Sequence, residues 1–147
     1  MKISFNTQGN LHQTVTLTYA EFKKYFGVNP GRIEKIKAAL QFFKIFHSCG
    51  CTTVYIGGSF VSTKKNPEDI DLCFDITAIK EEKLKKEFPN FFDVNERGKI
   101  RRDLKCHIFH FDAEDTLLFD LLTEDRDGNL KGLVKINLND ITYHDQE

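Results

Sequence analysis

The chain has 147 residues, of which 40% are hydrophobic and 29% charged, and its formal net charge is −1. These values predict one globular domain over residues 1–147 and argue against a protein whose main role is to bind nucleic acid or a membrane surface. No apolar run approaches the roughly 20 residues that cross a bilayer, and the polar N-terminal segment MKISFNTQGN does not resemble a signal peptide. We therefore expect a cytoplasmic protein that does not associate with a membrane.

Residues 1–17 are predicted to form an extended N-terminal arm with a turn at Gln8-Gly9-Asn10, followed by a short helix. The spacing of Thr18 and Glu21 fits a capping box that opens this helix. Gly27 is placed to end it.

A longer helix is predicted over residues 31–48, because Pro30 lies near its start and Gly50 just past its end. Apolar residues recur along it every three or four positions and predict one core-facing stripe. The stripe consists of Ile33, Ile36, Leu40, Phe43 and Phe46.

The rest of the chain mixes predicted strands with predicted helices. Period-two alternation and β-prone residues indicate the strands, and caps or a following proline bound the helices. This mixture predicts an α/β (α+β) domain. In chain order the predictions are a strand over 52–58, a strand over 70–76, a helix over 80–88, a strand over 105–111, a helix from Asp112 to about Leu122, a turn at 126–129 and a strand over 132–138.

The four cysteines Cys49, Cys51, Cys73 and Cys106 contain no CxxC pair. His47 lies close to the first two, but a fourth ligand with zinc-site spacing is missing. We therefore predict reduced, partly buried thiols in a reducing compartment.

Asp69 and Asp71 are two residues apart at the start of a predicted strand. Such residues share a face, with Cα atoms roughly 6.5–7 Å apart at a rise of about 3.3 Å per residue. Two neighbouring carboxylates repel each other unless a cation lies between them. Mg²⁺ binds one or two carboxylates together with water and phosphate oxygens. The pair therefore predicts a site for Mg²⁺, or Mn²⁺, carrying a nucleotide.

A glycine turn precedes the acidic pair. Gly57 and Gly58 follow a predicted strand and would let the backbone approach a ligand closely, and Ser59 adds a hydroxyl group and an amide N–H. Lys64 and Lys65 lie on the connecting loop, where they would either reach the same phosphates or remain solvated loop charges. This order of elements predicts a phosphate site beside a metal site.

Gly58-Ser59 followed by Asp69-Ile70-Asp71 resembles the signature of the nucleotidyltransferase superfamily of the DNA polymerase beta type. Nearly the whole chain is also similar to a family of small, largely uncharacterised bacterial nucleotidyltransferase-like proteins. The matching segments are FNTQGNLHQTVTLTYAEFKKYFG (5–27), GR (31–32), GGSFVSTKKNPEDIDL (57–72) and KGLVKINL (131–138).

The resemblance implies the nucleotidyltransferase fold, which is a short mixed sheet flanked by helices. It also implies that Gly58 and Ser59 face the phosphates of an NTP and that Asp69 and Asp71 bind metal.

In active members of the superfamily a third acid on a later strand completes a two-metal site. The corresponding strand here is LKCHIFHF, and His107 aligns with the acidic position. Alternation places Lys105, His107 and Phe109 on one face; Asp103 and Asp112 would substitute only in a different register. His107 is therefore a ligand or base replacing the acid, a relic of a site that has lost turnover, or a structural histidine.

The preferred hypothesis is a metal-dependent enzyme that transfers a nucleoside monophosphate from an NTP to a hydroxyl group on protein, RNA or a small molecule, with Asp69, Asp71 and His107 as catalytic residues. The alternative is an impaired nucleotide-binding module that acts with a protein partner, such as a toxin–antitoxin or phage-defence pair. A third hypothesis is a globular domain whose Asp-x-Asp is a charged strand edge. The basic cluster at 99–102 is either solvated or contacts an acceptor RNA. The sequence leaves the oligomeric state open.

Overall fold

The computed structural model describes residues 3–91, 93–112, 120, 122–124, 128 and 131–143. Within them, four helices accompany a five-stranded sheet. The strands are β1 (Val15–Thr16), β2 (Thr53–Gly57), β3 (Ile70–Asp75), β4 (Cys106–Phe111) and β5 (Val134–Asn137). The helices are α1 (Tyr19–Phe26), α2 (Pro30–Ser48), α3 (Glu81–Glu87) and α4 (Val94–Leu104).

The sheet is mixed, with strand order β1-β5-β2-β3-β4. The central strand β2 runs antiparallel to both neighbours, β5 and β3. The two outer pairs, β1 with β5 and β3 with β4, are parallel. The prediction of an α+β domain with a short mixed sheet is therefore confirmed.

The N-terminal arm is attached to the body of the domain. Its predicted turn is present, since the amide of Asn6 donates to the carbonyl of Asn10 at 2.7 Å and Gly9 has φ +82°. Asn10 then forms an isolated antiparallel bridge with Ser62, and β1 adds an edge strand beside β5. Backbone pairing therefore attaches the arm to the rest of the domain, whereas the sequence predicts only that the arm is extended.

The predicted capping box is also present, because the Thr18 side chain accepts from the amide of Glu21 while the Glu21 carboxylate accepts from the amide of Thr18. Asn29 caps α2 in a similar way. The predicted stripe on α2 is wrong at Ile33, which is 42% exposed. This first-turn residue lines a groove between α1 and α2 instead of facing the sheet.

Aromatic packing joins α2 to the sheet. The rings of Phe46 and Phe74 stack with centroids 3.8 Å apart and both are fully buried. All four cysteines are free and buried, as predicted, and burial raises the pKa of the Cys51, Cys73 and Cys106 thiols to about 12. The core therefore depends on packed phenylalanines and neutral thiols.

Two differences from the sequence predictions concern the segment before β4. Helix α4 was not predicted; it begins after Asp93, whose carboxylate accepts from the amides of Asn95 and Glu96, and no residue along it is buried. Lys105 is its left-handed C-cap, with φ 60°, so the strand begins one residue later than predicted.

Most of the predicted helix from Asp112 to Leu122 and of the predicted turn at 126–129 lies outside the described residues. None of the described helices is both long and apolar enough to span a bilayer.

Candidate metal and phosphate site

The parallel pairing of β3 with β4 determines what lies beside Asp71. In this register Asp71 and His107 are direct partners, and the imidazole Nδ1 lies 3.6 Å from Oδ1 of Asp71. Both side chains are partly exposed, and the ring of His107 also contacts that of Phe109 at 4.0 Å between centroids. His107 is therefore adjacent to Asp71.

Asp69 completes a cluster of three potential metal ligands. Donor atoms of Asp69, Asp71 and His107 all lie within 4.8 Å of one another, and they form the one such group in the parts of the chain that the structure describes. Asp103 and Asp112, the acids that would substitute for His107 in a different register, are not in this group. Asp103 instead pairs with Arg102 at 3.7 Å.

Asp69 also has a cationic partner that sequence reasoning missed. Nε of Arg101 donates to Oδ2 of Asp69 at 2.9 Å, a contact across 32 sequence positions. Arg101 lies on the last turn of α4, whose C-terminal end carries two basic residues. The basic cluster at 99–102 was visible in the sequence, but nothing in the sequence connected it to Asp69.

The glycine turn lies directly against Asp71, one member of the acidic pair. A 3₁₀ turn over Gly58–Val61 follows β2, and Gly58 has φ +71°, a conformation that favours glycine. A Cβ atom on Gly58 would collide with Oδ2 of Asp71. The missing side chain therefore leaves room for the carboxylate beside the turn.

Gly57 and Ser59 lie on either side of this contact. Gly57 is buried, pairs with Asp71 across β2 and β3, and would bring an added Cβ atom to 2.9 Å from the Leu133 side chain. Ser59 is exposed, and its carbonyl accepts from the hydroxyl of Ser62 at 2.5 Å. Ser59 therefore offers a hydroxyl group at the surface beside the turn.

A buried arginine holds the loop that follows the turn. Arg32, near the start of α2, is only 3% exposed. Its two terminal nitrogens donate to four carbonyls, at 3.3 Å to Phe26, 2.6 Å to Phe60, 3.3 Å to Ser62 and 2.6 Å to Lys64. Burial lowers the pKa of the guanidinium, but arginine remains charged in proteins. This clamp fixes the path of residues 60–64.

The two loop lysines lie on a different groove from Asp69. Lys64 and Lys65 line a surface next to Tyr25 and Asn29, and the Asn29 side-chain amide donates to the carbonyl of Lys65 at 3.0 Å. The groove beside Asp69 contains other cations. These are Arg101, Arg102 and Lys105.

The donor set is compatible with a divalent metal ion. Ligands of one octahedral ion at 2.0–2.1 Å lie about 3 Å apart when adjacent and about 4 Å apart when opposite, so small side-chain rotations would bring the three donors together. Imidazole suits transition metals, whereas Mg²⁺ prefers oxygen ligands. Two carboxylates and one imidazole therefore fit Mn²⁺ better than Mg²⁺.

No curated protein and no solved structure matches the chain. A family model described as a family of unknown function matches residues 3–137, a span that includes the glycine turn, the acidic pair and His107. The chain therefore belongs to this family, DUF6932.

Proposed function

We propose that the protein is a metal-dependent nucleotidyltransferase that moves a nucleoside monophosphate from an NTP to a hydroxyl acceptor. The observation that carries the proposal is the contact between the glycine turn and Asp71, because the backbone at Gly58 lies against the Asp71 carboxylate. A phosphate held at the turn would then be next to the predicted metal ligands. The resemblance to the nucleotidyltransferase superfamily supports the same interpretation.

Asp69, Asp71 and His107 would hold the metal, which when bound would neutralise charge on the phosphates and activate the acceptor oxygen. Exposed Ser59 would donate its hydroxyl to a terminal phosphate oxygen. The acceptor hydroxyl oxygen would attack the α-phosphorus as its proton passes to solvent, the bond from the α-phosphorus to the α,β-bridging oxygen would break, and pyrophosphate would leave. Arg101 would move from Asp69 towards the anionic substrate.

A transfer assay tests this function. The purified protein is incubated with each α-³²P-labelled NTP, with Mn²⁺ or Mg²⁺, and with protein, total RNA or small hydroxyl compounds as acceptors. We expect label transfer with pyrophosphate release, stronger with Mn²⁺, and a loss of at least 100-fold in Asp71→Asn. Glu87→Gln, which neutralises an exposed acid on α3, should retain activity. Absence of transfer under every condition would refute the enzymatic proposal.

The second candidate is a nucleotide-binding module that acts with a protein partner, as in a toxin–antitoxin or phage-defence pair. Two observations favour it. His107 lies beside Asp71 where the resemblance would place a third acid, and Arg101 forms an ion pair with Asp69. Calorimetry with Mn²⁺ and each NTP separates the two candidates. Binding without a transferred product supports the module, whereas absence of binding contradicts both.

A cytoplasmic location is part of the proposal. The four cysteines are buried and free, and such thiols are typical of a reducing compartment.

A further inference from the structure

The groove between α1 and α2 shares no residue with the candidate site. It has a volume of about 440 Å³, within the roughly 300–1,000 Å³ typical of ligand pockets. Its apolar lining comes from Tyr19, Ile33 and Ile36. Ile33 is the residue that helical periodicity assigns to the core but that the structure leaves 42% exposed. Ile33 therefore places an exposed apolar side chain within a concave surface, whereas Tyr19 and Ile36 are buried.

Gly27 lines the groove at the end of α1. A Cβ atom on Gly27 would lie 2.6 Å from the carbonyl of Lys23 and 3.3 Å from Cδ1 of Ile36. A side chain at this position would therefore press on the Lys23 carbonyl and on the buried Ile36 side chain. Glycine at this position avoids both contacts while it ends α1.

The charged side chains that line the groove are all basic. Its lining includes Lys23, Lys24 and Lys37 and no carboxylate. Lys23 lies over the ring of Tyr19 at 4.9 Å, and Lys24 lies over that of Tyr25 at 5.8 Å. The first of these contacts holds the Lys23 ammonium group on an aromatic face of the groove lining. The chain as a whole has a net charge of −1, so this concentration of positive charge is local.

We propose that the groove binds a short acidic segment of a partner protein, in which one or two bulky apolar side chains are flanked by Asp or Glu. The apolar side chains would enter between the helices against Ile33, and the carboxylates would meet the lysines. This is the helix-in-groove mode of recognition with charge complementarity at the edge. The inference does not depend on the proposed function.

Selection from a phage-displayed library of random 12-residue peptides tests the groove directly. The library is selected on the wild-type protein and counter-selected on Ile33→Asp. The enriched peptides are then synthesised with a fluorescein label and measured by fluorescence anisotropy. We expect a consensus with apolar residues beside Asp or Glu, and binding at least tenfold weaker to Ile33→Asp and several-fold weaker to Lys37→Glu.

Lys86→Glu is the matched control, because it makes the same charge change on α3 at an exposed residue outside the groove lining. It should bind the peptides like the wild type. Circular dichroism and thermal melting check that Ile33→Asp is folded, and Ile33→Gln provides a second apolar-to-polar change. The proposal is overturned if no peptide is enriched, if the consensus contains no acidic residue, or if the peptides bind Ile33→Asp as tightly as the wild type. A dimer that Ile33→Asp dissociates would overturn it in favour of self-association.

Discussion

Arg101 donates from Nε to Oδ2 of Asp69 at 2.9 Å, so a guanidinium group already neutralises one carboxylate of the candidate metal site. A metal ion that uses this oxygen must displace the arginine. The pair is partly exposed, and such pairs contribute about 0.5–1 kcal/mol. We therefore predict that Arg101→Ala binds Mn²⁺ about two- to fivefold more tightly, as measured by calorimetry in the absence of nucleotide.

Arg102→Ala provides the control for general charge effects, since it removes a neighbouring exposed cation that pairs with Asp103 instead. We expect its Mn²⁺ affinity to remain within twofold of the wild type. Equal gains in both variants would show that the arginines act only through the overall field of the protein.

His107 lies opposite Asp71 in the parallel register, so a carboxylate at this position should complete an oxygen-rich site. We predict that His107→Asp shifts the metal preference from Mn²⁺ towards Mg²⁺. Without metal the third carboxylate repels its neighbours, and we expect the melting temperature in EDTA to fall by about 2–4 °C. Thermal melts in EDTA, Mg²⁺ and Mn²⁺ measure both effects.

His107→Asn is the control, because it removes the imidazole without adding charge. Its melting temperature in EDTA should stay near that of the wild type, and Mg²⁺ should not raise it. If Mg²⁺ raises the melting temperatures of the two variants equally, the residue at 107 does not act as a metal ligand.

The sequence was sufficient to predict the acidic pair and the glycine turn because both depend on local rules. Strand alternation predicts the side chains that share a face, and this is why Asp69 and Asp71 lie together with Ile70 buried beneath them. The capping pair Thr18 and Glu21 is equally local. These features require no knowledge of how distant segments pack.

The features that were missed depend on tertiary packing or on weak local signals. Helix α4 has no buried residue and contains Gly98, so it lacks the apolar stripe on which periodicity relies. The pairing of Arg101 with Asp69 spans 32 positions. Ile33 fits the helical period of the core stripe, yet lies where α1 leaves a groove. Periodicity predicts a face of a helix but not what covers each of its turns.

Arg32 is the one buried polar or charged residue in the described part of the chain. It is 3% exposed and donates to four carbonyls. Arg32→Met would leave those carbonyls without their charged donor, and we predict a loss of about 3 kcal/mol in the free energy of unfolding. Urea denaturation measures it. Arg32→Lys keeps the charge but not the planar guanidinium group, so its loss in the free energy of unfolding should be intermediate. Arg102→Met is the control, and its free energy of unfolding should change by less than about 0.5 kcal/mol.

The buried thiols predict a loss of stability at alkaline pH. The pKa of Cys73 is raised by burial from 9.0 to about 12. Because the folded-state pKa lies above the unfolded value, the stabilising contribution is present below pH 9 and is lost as pH rises from 9 towards 12. We expect the urea midpoint to fall across this range, and Cys73→Ala to flatten the decline. An unchanged slope in the variant would show that Cys73 does not ionise on unfolding.

Gly58 joins the fold to the candidate chemistry, because its φ of +71° disfavours a side chain and an added Cβ atom would collide with the Asp71 carboxylate. We predict that Gly58→Ala is destabilised by about 1–3 kcal/mol and binds Mn²⁺ at least tenfold more weakly, as measured by urea denaturation and calorimetry. Gly98→Ala is the control, since nothing lies within 4 Å of its added Cβ atom on α4. It should be neutral or stabilised by about 0.5–1 kcal/mol. Wild-type Mn²⁺ affinity in a folded Gly58→Ala protein would show that the turn and Asp71 act independently.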